Sequence, residues 1–263
     1  MAIPSILTKI VEDRRKDLES FKRDIDLDAL IKSAYESKSR DSFNGAIKRR
    51  GLSIIGEVKK ASPSKGIMKE DFDPVAIAIE YSDIVDVISV LTEERYFMGN
   101  PKYLKNIAER VNTPLLRKDF IIDKVQIYEA KSLGASAILL IASILTSREI
   151  EEFKELSDKL NMDCLIESHD KEEVIKSLDA GAEILGINNR DLNNFKINLN
   201  TTLDLRSLIP RDKLVVSESG INTAKDIRTL SEVNIDGVLV GESFMRSKDL
   251  KAKARELKDA YNG

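Results

Sequence analysis

Lysines and glutamates placed at the ends of short apolar runs are the residues of this chain that could do acid–base chemistry. Glu57 and Lys59 stand at the end of the run Ser53–Val58, Lys118 follows Pro114–Arg117, Glu167 closes Asp163–Glu167, and Glu218 lies just past Leu214–Val216. A lysine can protonate a carbonyl oxygen and a glutamate can handle a hydroxyl proton. The chain has one histidine, His169, and one cysteine, Cys164. A Ser-His-Asp or Cys-His arrangement would have to run through that histidine. A metal site built from several histidines or cysteines of one chain is excluded. Proton chemistry therefore falls mainly to Lys, Glu, Asp and Tyr.

The elements that must position these groups can be read from the pattern around them. Runs rich in Ile, Val and Leu recur at Ser53–Val58, Asp86–Leu91, Pro114–Arg117, Ala137–Ile141, Asp163–Glu167, Ile184–Ile187, Leu214–Val216 and Gly237–Val240. They are continuous, not alternating, as parallel strands buried on both faces require. Between them lie amphipathic segments such as Pro74–Tyr81, Lys124–Leu133, Ser147–Leu160, Lys171–Ala180 and Ala224–Glu232. Glycine follows two of these, in Leu133-Gly134 and Ala180-Gly181, where a helix C-cap needs it. About eight βα units in one series predict a closed α/β barrel, a (β/α)8 TIM barrel, in preference to an open sheet. The open sheet would call for a dinucleotide or P-loop fingerprint, and the sequence has neither. Helices predicted over Pro4 to about Phe21 and Leu27–Ser37 precede the repeat. They make residues 1–50 a helical extension and residues 51–263 the barrel of a single domain. Such helices would either lid a barrel end or offer a partner surface.

In a barrel, the C-terminal strand ends and the loops after them build the site. Glu57 and Lys59 are two residues apart and so share a face. Odd-numbered strands fill a common layer, which would bring Lys59, Lys118, Glu167 and Glu218 to one cavity. Lys118 beside Lys59 would release its proton more easily. Asn188 and Arg190 end the sixth run and add polar groups there. Ser219-Gly220 and Gly241-Glu242, after the seventh and eighth runs, stand where barrels often bind phosphate through backbone N–H groups. Ser62 could add a hydroxyl. Phe97 and Phe120 are core or loop staples unless they lie at the mouth. Cys164 reads as a small buried apolar residue, His169 as a loop or helix-cap residue, and Glu93, Glu94 and Arg95 as a solvated loop.

The net charge of -3, with 33% charged and 42% hydrophobic residues, suits one sizeable core. It gives no reason to expect a nucleic-acid or membrane partner. The longest apolar stretch, Ala137–Ala142, is far too short to cross a bilayer. The N-terminus lacks the apolar core of a signal peptide, so a cytoplasmic location is expected.

Taken in order, the strand-end motifs resemble those of the indole-3-glycerol-phosphate synthase family. They are Ile55-Gly56-Glu57-Val58-Lys59 with Ser62-Pro63-Ser64, Leu91-Thr92-Glu93 with Tyr96-Phe97, and Leu116-Arg117-Lys118-Asp119-Phe120-Ile121. Leu165-Ile166-Glu167, Gly186-Ile187-Asn188-Asn189-Arg190-Asp191-Leu192, Ser217-Glu218-Ser219-Gly220-Ile221 and Val240-Gly241-Glu242-Ser243 complete the set. The resemblance implies a TIM-barrel lyase of tryptophan biosynthesis. Its substrate would be a small phosphorylated molecule, 1-(2-carboxyphenylamino)-1-deoxyribulose 5-phosphate, which closes to an indole and loses carbon dioxide and water. It implies no cofactor and no metal; separately, a monomer or weak homo-oligomer is expected. Carried over by position, Lys118 resembles the general acid and Glu167 the acid–base partner of the dehydration. Lys59 resembles a second lysine that either positions substrate or transfers a proton. Glu57, Asn188 and Glu218 resemble the polar shell of the reacting carbon chain, and Arg190 a residue near the anthranilate end. Phe97 and Phe120 resemble aromatic walls, while Ser62, Ser219, Gly220, Gly241 and Glu242 resemble substrate and phosphate contacts. The weighed alternatives are an isomerase of phosphoribosylanthranilate, a Schiff-base lyase with Lys118 as nucleophile, and a barrel kept only for binding. The first would want a Cys/Asp pair where Glu57 and Lys59 stand.

Overall fold

The computed structural model describes residues 6–63, 65–191 and 195–262. The expected helix start at Pro4, and Ser64 and Leu192 of the motifs, lie outside the described residues. Eight parallel strands close into a barrel. They are β1 (Ser53–Val58), β2 (Val87–Leu91), β3 (Leu115–Lys118), β4 (Ala137–Ile141), β5 (Asp163–Ser168), β6 (Ile184–Asn188), β7 (Leu214–Glu218) and β8 (Gly237–Val240). Each pairs with its sequence neighbours, and β8 returns to β1 through Ser53↔Gly237 to Gly56↔Val240. The strands agree with the expected runs to within two residues at each end. β5, β6 and β7 run on by one or two residues, which takes Asn188 and Glu218 into the sheet.

Side chains alternate between two layers. Ile54, Ile88, Leu115, Ile138, Ile166, Leu185, Val215 and Val238 pack outward against the helices. Ile55, Val87, Leu116, Leu139, Leu165, Ile184, Val216 and Leu239 pack together inside the barrel. Both layers are apolar, which is why the runs read as continuous. Helices that follow strands begin on side-chain caps: Asp73 before Pro74, Asn100 before Pro101, and capping boxes at Asp123, Thr146 and Thr223. Helices Pro101–Ala108, Asn200–Arg206 and Leu250–Asn262 complete the series of βα units.

Among the described residues, three helices precede β1: α1 (Ile6–Asp24), α2 (Leu27–Glu36) and α3 (Phe43–Ile47). The unexpected α3 plugs the N-terminal end of the barrel. Phe43, Ala46 and Ile47 are buried among the interior residues, and the Ser53 hydroxyl donates to the Ala46 carbonyl at 3.0 Å. α1 goes to the opposite end. Arg14 and Lys22 pair with Asp119 and Asp123 after β3, and Asp13 accepts the Tyr96 hydroxyl at 2.6 Å. Of the two roles open to the extension, this places α1 over the C-terminal mouth.

Candidate active site

The interior alternation decides which residues reach the mouth. Two positions beyond Ile55, Leu116, Leu165 and Val216 stand Glu57, Lys118, Glu167 and Glu218, and two beyond Glu57 stands Lys59. Asn188 follows Ile184 by two such steps. These groups line one cavity of about 1280 Å³, measured with its open mouth. Ser62, Phe97, Phe120, Arg190, Ser219, Gly220, Gly241 and Glu242 line the same cavity, so every residue singled out from the sequence reaches it. Ile6, Leu7 and Ile10 of α1 form part of its wall.

Lys118 Nζ lies 3.3 Å from Glu167 Oε2 and 3.2 Å from Glu218 Oε2. This corrects the expectation that a neighbouring cation would loosen its proton. Burial does lower its proton affinity, but Glu218, Glu167 and Glu57 outweigh that and hold the ammonium firmly charged. Lys59 is engaged instead by Glu57. The layer carries more glutamates than lysines, so each lysine finds a carboxylate.

The two glutamates around Lys118 differ. Burial pushes both carboxyls up. At Glu167 that push is overcome by Lys118, by His169, and by Asn188, whose Nδ2 donates to Oε1 at 3.1 Å, so this carboxyl stays well below the usual range. At Glu218 burial and the Glu167 charge prevail over Lys118, and the carboxyl is pushed up to about 7. Two neighbouring carboxyls with separated proton affinities are the arrangement that acid–base catalysis uses.

Behind the site, Arg117 is 1% exposed and fully partnered. It reaches Asp119 at 3.1 Å, Glu129 at 2.7 Å, Thr92 Oγ1 at 3.1 Å and the Gln126 carbonyl at 3.0 Å. Asp119 meets Arg14 of α1 as well, so one buried carboxylate ties the lid helix to the residue next to Lys118. The loop after β2 is solvated as expected at Glu94 and Arg95, which are exposed, but not at Glu93. Glu93 is buried and accepts from the backbone N–H groups of Arg95, Tyr96 and Phe97 at 3.0, 2.7 and 2.9 Å. Arg95 pairs with Asp13 and Asp17 of α1, and Asn100 donates to Glu94. A loop tied by three N–H bonds sets Phe97, whose ring lies 6.0 Å from that of Phe120 to form an aromatic wall. Cys164 is buried, and burial pushes its thiol up to about 12, as an inert core residue requires.

Across the mouth, Ser219 and Gly220 both adopt positive φ, 66° and 86°. A β-carbon at Gly220 would meet Ile197 Cγ2 at 2.5 Å, so only glycine fits this turn. Gly241 leads into the short helix Glu242–Met245, whose first N–H groups have no partner within the helix. The Glu242 carboxylate is drawn to Lys65 at 3.6 Å and Arg246 at 3.2 Å. Arg190 donates to the Phe195 carbonyl at 3.2 Å. His169 lies in the loop before helix Lys171–Asp179, as expected, but it also stands 3.2 Å from Glu167, a contact that sequence reasoning missed. Its place two residues beyond Glu167, on the same face of the chain, was the available signal.

A closed parallel barrel with lysines and glutamates gathered at its C-terminal mouth defines a barrel enzyme of the acid–base type. The family model described as indole-3-glycerol phosphate synthase matches residues 7–257. The indole-3-glycerol phosphate synthase of Alkaliphilus metalliredigens is 46% identical over 255 residues, covering 96% of this chain and 98% of that one. That of Acetivibrio thermocellus is 52% identical over 219 residues, 82% of this chain and 84% of that one. The chain belongs to the indole-3-glycerol phosphate synthase family, decarboxylating lyases of tryptophan biosynthesis. Among solved structures, 3-hexulose-6-phosphate synthase from Salmonella typhimurium covers 80% of this chain and 99% of its own with a TM-score of 0.66. At 14% identity that likeness concerns the fold alone. Among the described residues, no helix is long and apolar enough to cross a membrane.

Proposed function

We propose that the groups at this barrel mouth close 1-(2-carboxyphenylamino)-1-deoxyribulose 5-phosphate to indole-3-glycerol phosphate, without metal or cofactor. Lys118 gives a proton to the substrate carbonyl oxygen as the aromatic ring carbon attacks the carbonyl carbon. Carbon dioxide then leaves, and the electrons of the broken bond restore the ring. The new hydroxyl leaves as water after gaining a second proton, and the adjacent ring carbon loses one. Two protons enter and one returns, so each turnover of the substrate carboxylate takes one proton from solvent. Glu167 is the acid–base partner of this dehydration. Lys59, held by Glu57, positions substrate or passes a proton, and Asn188 and Glu218 complete the polar shell. Phe97 and Phe120 flank the anthranilate ring, with Arg190 near its end. Ser62, Ser219, Gly220, Gly241 and the Glu242 main chain take the phosphate. Residues 1–50 act with the barrel as one domain, working in the cytoplasm as a monomer or weak homo-oligomer.

The observation that carries this reading is Lys118 set between Glu167 and Glu218 in one cavity. It also disfavours a Schiff-base lysine, because an amine held so firmly as ammonium is a poor nucleophile. The test is to incubate the purified, chelator-treated protein with the carboxyphenylamino substrate and follow indole fluorescence. Enzyme-dependent product is expected. A folded protein that binds phosphate ligands without turnover would favour the binding-only alternative.

A further inference from the structure

The chain's only histidine occupies a position that the mechanism above leaves unused. His169 directly follows β5. Its Nε2 lies 3.2 Å from Glu167 Oε1 and its Nδ1 lies 3.0 Å from Glu173 Oε2. Its backbone N–H donates to the same Glu173 oxygen at 2.8 Å, so ring and main chain are held together. Glu173 is itself fixed in the first turn of helix Lys171–Asp179, where its N–H donates to the cap residue Asp170. The ring side chain is only 14% exposed. Nε2 is buried and makes no hydrogen bond among the described residues, so its 3.2 Å approach to Glu167 is a contact of charge alone.

Two carboxylates on opposite sides of one half-buried imidazole favour the charged ring. Burial alone would lower its proton affinity, but Glu167 and Glu173 outweigh this and push it up to about 10. The groups around the pair are unequal. Glu167 faces Lys118 from β3, Asn188 from β6 and His169. Glu218 faces Lys118, with the charges of Glu167 and Glu57 added against it. Its Oε1 is buried with no hydrogen-bond partner among the described residues. Lys118 is shared by both glutamates, so the cation that distinguishes them is His169.

We infer that His169 is a positioning residue: as an imidazolium clamped between Glu167 and Glu173, it keeps Glu167 as the carboxylate and leaves the mobile proton of the pair on Glu218. Its consequence for turnover rests on the reaction proposed above. Glu167 enters the dehydration as the base that takes the ring proton. Glu218 stores the proton that each turnover draws from solvent.

A single histidine makes the test direct, because an untagged protein labelled with ring-¹⁵N histidine gives one pair of ring signals. At about pH 8, where an unperturbed histidine is neutral, both nitrogens are expected in the imidazolium form. Glu173→Gln should lower the ring's apparent pKa by roughly one unit or more. In the pH profile of kcat/KM, His169→Gln removes one positive charge. The ionisation of the Glu167–Glu218 pair should then move up by about one unit. A residue that only packs would lower the rate equally at every pH. A neutral ring in the folded wild type, or an unmoved profile in folded His169→Gln, would overturn the inference. If His169→Gln does not fold, His169→Asn carries the same profile test. A wild type that shows no turnover while its ring is charged would sink the reaction reading and leave the charge assignment standing.

Discussion

A β-carbon on Gly186 of β6 would overlap Oε1 of Glu218 at the end of β7. Glycine at 186 is thus part of how Glu218 reaches its place, since the carboxylate occupies the space where any other side chain would begin. Gly186→Ala must push Glu218 aside. Kinetics should show kcat reduced by about 10- to 100-fold, with a stability loss of about 1–3 kcal/mol by denaturant titration. Gly241 stands in the same relation to Glu57, and a β-carbon there would also come within 3.2 Å of Lys59 Nζ. Activity unchanged in both alanine variants would mean that the two carboxylates need no fixed position.

Arg14 is the cation that joins α1 to Asp119, and α1 brings Ile6, Leu7 and Ile10 to the cavity. Loss of that tie should loosen the lid more than the chemistry. Arg14→Ala is expected to raise KM by about tenfold with a smaller change in kcat. Arg117→Ala differs, because it removes the other cationic partner of Asp119 from a buried network. A loss of about 3–5 kcal/mol is expected there. Equal destabilisation by the two substitutions would contradict this division.

Glu218 also makes stability depend on pH. Its carboxyl is raised from 4.5 to about 7, so between these values the folded chain binds more protons than the unfolded one. Stability from this group is complete below 4.5 and is lost as pH rises through about 7. Glu218→Gln should therefore gain on the wild type across that window, by at most ~1.4 kcal/mol per pH unit. Parallel pH–stability curves for the two proteins would exclude Glu218 as the source of the slope.

Much of the barrel could be read because its strands are buried on both faces and interrupted by capped helices. Asp123 with Gln126 and Thr146 with Glu149 are start signals visible in one dimension. α3 could not be read, since five residues are too few to show a helical period and their burial under the barrel is a tertiary fact. The mouth residues could be placed because alternation carries Leu116 to Lys118 and Leu165 to Glu167 on one face. Pairing could not. Which carboxylate meets which lysine depends on strand stagger, so the reading set Lys59 against Lys118 where the structure gives each a glutamate. Glu93 and His169 escaped for a related reason. Their partners, three loop N–H groups for one and a helix glutamate for the other, meet them only once the chain has folded back.

The central claim is that Lys118 supplies the proton on which ring closure depends, and Lys118→Met tests it most directly. The side chain keeps its length and loses its charge, and Glu218 can answer by keeping its proton, so the barrel should remain folded. Indole formation from the carboxyphenylamino substrate should fall by about 10²- to 10⁴-fold in kcat, with circular dichroism unchanged. Turnover near the wild-type rate from the folded variant would contradict the account and move the acid to another residue of the cavity.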